Sequence, residues 1–76
     1  MNNVQRVYAQ VRAKTPEAII ELIANQLDRA AEAAKRIKEE GTVVRDPKGS
    51  VVAHPAISIE IAATKLAAEL LAKHKL

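Results

Sequence analysis

The chain contains no cysteine, no tryptophan and no phenylalanine, and its single aromatic residue is Tyr8. Without cysteine, neither a disulfide nor a thiolate metal site can hold it together. Without large aromatics, no core can be built around a few bulky side chains. The hydrophobic content is 49%, but much of it is alanine, which buries little area per residue. No run approaches the roughly 20 apolar residues of a membrane span. The N-terminus also lacks the continuous apolar stretch of a secretory signal, so an intracellular location is expected. Glycine occurs twice and proline three times, so each break in the pattern is informative.

With 76 residues, the chain forms at most one small domain. Domains of this size bury a modest core and are often marginal alone. With no disulfide or metal available, association with further copies of the chain is the remaining device. The net charge of +3 is unevenly placed. Arg6, Arg12 and Lys14 are the only charged residues in the first 14, while the remaining 12 − 3 = 9 basic residues balance the 9 acidic ones. Such a terminal segment suits either a solvated helix face or an arm for phosphates.

Apolar spacing organises the rest. Val4, Val7, Tyr8 and Val11 follow the i, i+3, i+4, i+7 pattern of a short helix over 3–13. Thr15-Pro16-Glu17 reads as a helix start, with Thr15 as N-cap and Pro16 at the first helical position. The helix is expected over 16–40 and is closed by Gly41. Ile20, Ile23, Leu27 and Ile37 fall on a seam with alternating steps of three and four, and the alanines between them permit close approach. A second helix is expected over 55–75, opened by Pro55, with Ser58 as a competing cap and Leu66 and Leu70 on its apolar face. Lys73, His74 and Lys75 suit its negative end. Between the helices, Val43-Val44 and Val51-Val52 flank "DPKG", residues 46–49, which fits a type I turn. These elements predict an all-α fold: an antiparallel helical hairpin over 15–76, a small β-hairpin-like connector within it, and a short basic helix or arm over 1–14.

The chemistry of a catalyst is missing. "RDPKGS" lacks the spacing of a phosphate-binding loop. The two histidines, His54 and His74, stand far apart in a chain without cysteine, so no metal site or cofactor is expected. His54 reads as a connector residue whose ring bonds to nearby backbone. The charged residues of 28–39 alternate as on a solvated helix face. No enzyme is expected.

The connector carries a resemblance. A helix ends in Glu40-Gly41, then come Val43 and Val44, a polar turn with Gly49, and His54-Pro55 opening an alanine- and leucine-rich helix with Ile57, Ile59 and Ala62. This order, over roughly residues 20–76, resembles a segment of the bacteriophage terminase small subunits, which also occur in prophages. The resemblance implies a non-enzymatic, ring-forming role in viral DNA packaging, in the cytoplasm of a bacterial host cell. It further implies recognition of double-stranded DNA and regulation of the large terminase subunit. The hairpin would then be the oligomerisation core, with Ile20, Ile23, Leu27, Ile37, Leu66 and Leu70 between copies. Fewer than 15 residues precede Thr15, too few for a separate helix-turn-helix domain. DNA contact is therefore expected from Arg6, Arg12 and Lys14 on charge alone. The alternative is a small helical protein–protein interaction module that does not bind DNA.

Overall fold

A computed structural model describes residues 2–76. The chain is mostly helical, with three helices and a two-stranded antiparallel ribbon: α1 (Asn3–Gln10), α2 (Glu17–Glu40), β1 (Val43–Arg45), β2 (Val51–Ala53) and α3 (Pro55–His74). The helix α1 is too short to be stable alone. A reciprocal cap fixes its start: the Asn2 side chain accepts from the Gln5 N–H at 2.9 Å, and the Gln5 side chain accepts from the Asn2 N–H at 3.2 Å. Its apolar stripe holds it down, with Val7 fully buried and Val11 at 4% exposure. Val4 and Tyr8, expected on the same stripe, stay largely exposed. The helix also ends sooner than the periodicity predicts. Val11 turns extended (φ −110°, ψ 161°) and forms an antiparallel bridge with Lys75.

The start of α2 corrects the expected cap. Pro16, not Thr15, is the cap residue, with an extended ψ of 139°, and its carbonyl accepts from the Ile19 and Ile20 N–H groups. A turn closed by the Thr15 N–H to the Arg12 carbonyl directs Thr15 inward, where its hydroxyl is buried without a hydrogen-bond partner. The start of α3 follows the His-Pro reading: His54 caps, Pro55 is the first helical residue, and Ser58 lies inside the helix.

The helices α2 and α3 pair as the two arms of a hairpin. Ala33 and Arg36 lie near Ala56, while Gln26 lies near Ala62 and Leu66, so the two run antiparallel. Ala33, Ala56, Ala63 and Ala67 are buried along their contact, and small side chains allow the axes to approach. The α1 helix packs on the end of the hairpin away from the ribbon, where Val7 and Val11 meet Ile20, Ile23, Ala24 and Ala67. The molecule is a rod of 51 × 22 × 16 Å, three helices thick at one end and two at the other.

Candidate functional site

Three features stand out on this rod: a clasped connector, a groove along the hairpin and a basic end.

The connector is defined by its hydrogen bonds. Gly41 has φ +87° and ψ 172°, a conformation essentially reserved for glycine, and its N–H closes α2 on the Ile37 carbonyl at 2.7 Å. In the ribbon, Val43 pairs with Ala53, Val44 with Val52 and Arg45 with Val51. The turn uses Asp46: its backbone carbonyl accepts from the Gly49 N–H, and its carboxylate accepts from the Lys48 and Ser50 N–H groups, each at 2.9 Å. Gly49, at φ +86°, supplies the left-handed residue that such a three-residue loop requires. His54 is 2% exposed and joins the two helices. Its Nδ1 accepts from the Ala56 N–H at 3.0 Å, so the neutral ring carries its proton on Nε2, which faces Glu40 Oε1 at 3.2 Å. The hydrogen bond from His54 lowers the Glu40 pKa, and the positive charge of Arg36 adds to this. Of the residues that carry the resemblance, Gly41, Val43, Val44, Gly49 and His54 lie in this connector, while Glu40 ends α2 and Pro55, Ile57, Ile59 and Ala62 belong to α3.

The predicted subunit seam is used differently. Ile20 and Ile23 are buried in the chain's own core, and Leu27 and Leu70 pack against it. Ile37 is half-buried. Ile20 and Ile23 are therefore corrected: they face α1 and α3 of the same chain, because α1 fills the place that the sequence left for a neighbour. Of the six seam residues, only Leu66 is exposed, at 38%. It joins Ile59 and Ala62 on one face of α3, and these line a shallow groove opposite Gln26 and Arg29 of α2. Ile61 on α3 and Val43 and Val51 on the ribbon are exposed at 64%, 55% and 62%.

The basic residues gather at the end away from the ribbon. Arg6 lies exposed on α1, and Arg12 and Lys14 lie exposed in the loop before α2. The strand-like bridge draws the C-terminal segment onto this loop. The Arg12 N–H donates to the His74 carbonyl at 2.9 Å, the Leu76 N–H donates to the Gln10 carbonyl at 3.1 Å, and Arg12 Nε donates to the Lys75 carbonyl at 3.2 Å. The segment that carries Lys73 and Lys75 thereby lies beside the loop that carries Arg12, a juxtaposition that the sequence reading missed. Nearby, the Tyr8 hydroxyl donates to Glu17 Oε1 at 3.2 Å, and that bond raises the tyrosine pKa. Among the described residues, none of Arg6, Arg12, Lys14, Lys73 or Lys75 forms an ion pair. No group of three acidic, histidine or cysteine side chains could hold a metal ion there or elsewhere among those residues. Among the described residues, no helix is long and apolar enough to cross a membrane.

Comparison with protein-family models, curated proteins and solved structures finds no match.

Proposed function

We propose that this chain is a self-associating, non-enzymatic helical protein of the terminase small subunit kind, acting in viral DNA packaging by contacting DNA and the large subunit. The observation that carries the reading is the connector. Gly41, Val43, Val44, Gly49 and His54, which bear much of the resemblance, lie in one clasped turn of the helical hairpin, and the resemblance makes that hairpin part of the assembly core. The exposed apolar residues of the ribbon and groove support contact between copies. The unpaired Arg6, Arg12 and Lys14 support contact with the phosphates of double-stranded DNA, in the cytoplasm of a bacterial host. No cofactor enters this role. Sedimentation, together with a gel shift at low salt, tests the reading. An oligomer that retards duplex DNA is expected, and replacing Arg6, Arg12 and Lys14 by Ala weakens the shift. A chain that neither associates nor binds DNA overturns it. A second reading, a protein–protein interaction module, is favoured by the groove of Ile59, Ala62 and Leu66, and it predicts an oligomer with no affinity for DNA.

A further inference from the structure

We infer that Lys73 and Lys75, at the far end of the sequence, complete the DNA-contacting surface begun by Arg12 and Lys14, and that this composite end grips the phosphate backbone of duplex DNA. The inference rests on the DNA-binding reading above and adds to it residues and a geometry.

Three observations carry it. The first is the clasp. The Val11–Lys75 bridge, with its flanking bonds Arg12 N–H to His74 and Leu76 N–H to Gln10, fixes the two segments side by side by backbone bonds alone. The lysine side chains are therefore free of any structural duty there. The second is the arginine. Its Nε is held by the Lys75 carbonyl, which leaves the outer guanidinium nitrogens for a ligand with paired oxygen acceptors, the geometry of a phosphate. The third is charge. Residues 2–16 and 73–76 carry Arg6, Arg12, Lys14, Lys73 and Lys75 and no acid, a formal +5. Residues 17–72 carry the other 12 − 5 = 7 basic residues against all 9 acidic ones, a formal −2. Glu17, which accepts from Tyr8, and Asp28, which accepts from Asn3, border α1, so the excess is local to the two clasped segments, and the clasp raises it from the +3 of the N-terminal segment to +5. A polyanion with regularly spaced charges is drawn to those segments.

Each phosphate neutralised on B-form DNA contributes about 0.9 to the slope of log affinity against log salt. The test measures that slope, by fluorescence anisotropy on a mixed-sequence duplex, for the parent chain, for Lys73→Gln/Lys75→Gln and for Lys48→Gln. Both substituted lysines are exposed, and circular dichroism verifies that the helices persist. The double variant is expected to flatten the slope by about 1.8, while Lys48→Gln, on the ribbon turn, leaves it unchanged. If the parent binds and the double variant keeps the parent's slope, the C-terminal lysines are not part of the surface and this inference falls while the DNA-binding reading stands. If Lys48→Gln flattens the slope as much per lysine, binding follows overall charge and the inference falls too. If the parent does not bind at low salt, the DNA-binding reading itself fails and takes the inference with it.

Discussion

At the scale of single residues, His54 does the most with one side chain. It caps α3 through Nδ1, faces the last residue of α2 through Nε2, and is almost completely buried as a residue. Replacing it by Ala leaves the Ala56 N–H without its acceptor and opens a small void. A loss of about 1–2 kcal/mol is expected, read as a shift of the urea midpoint without a change in slope. Gly41→Ala meets open space but is forced into a conformation that L residues rarely adopt, so a loss of about 1–3 kcal/mol is expected from backbone strain alone. Glu40 sets a pH dependence. Its folded-state pKa lies below the ordinary 4.5, so the unfolded chain takes up the proton first as pH falls. The stabilisation is complete above about 4.5 and is lost as the pH drops through the lower folded value. Urea titrations from pH 6 downward should therefore show stability falling in that window, and Glu40→Gln should flatten the fall. An identical acid profile in the variant would place the responsible group elsewhere.

At the scale of elements, α1 depends on packing and α2 on its own length. Ile23 is fully buried where α1, α2 and α3 meet. Its truncation to Ala should cost about 2–5 kcal/mol and release α1, seen as faster amide exchange over residues 3–10 than over α2. These two helices also show what could be read in advance. The extent of α2 and α3 was legible because each is framed by residues with one physical use: Pro16 and Gly41, and His54-Pro55. The ribbon was legible because Asp46, Pro47 and Gly49 leave the chain few options other than a turn. The end of α1 was not, since Val11 fits the helical stripe equally well. What ends the helix there is a bridge to Lys75, a partner distant in sequence. The same non-local bridge hid the second half of the basic end. The seam was legible as an apolar face but not as to its partner, because periodicity shows that a face is buried and not which helix covers it.

At the scale of the whole molecule, the surface is too large for the mass. A compact monomer of 8.2 kDa exposes about 4,500 Å², whereas this chain exposes 5525 Å². Its radius of gyration is 15.3 Å, against about 11 Å for a compact domain of this length. The excess, on the order of 1,000 Å², lies within the range that a specific contact between subunits buries. It coincides with apolar side chains that a lone chain leaves in water: Ile59 and Leu66 in the groove, Ile61 beside it, and Val43 and Val51 on the ribbon. None of these five belongs to the core of the single chain, so a charge placed among them should spare the fold and affect only what covers it. Leu66→Glu is the sharpest choice, because Leu66 is both the one exposed member of the predicted seam and a wall of the groove. The parent should sediment as an oligomer at micromolar concentration, and the variant should sediment as a single chain with an unchanged far-ultraviolet spectrum. If the parent is already a single chain at that concentration, the excess surface is simply the cost of an elongated shape. If Leu66→Glu stays assembled, the contact lies on the ribbon instead, and Val51→Lys becomes the variant that should separate the copies.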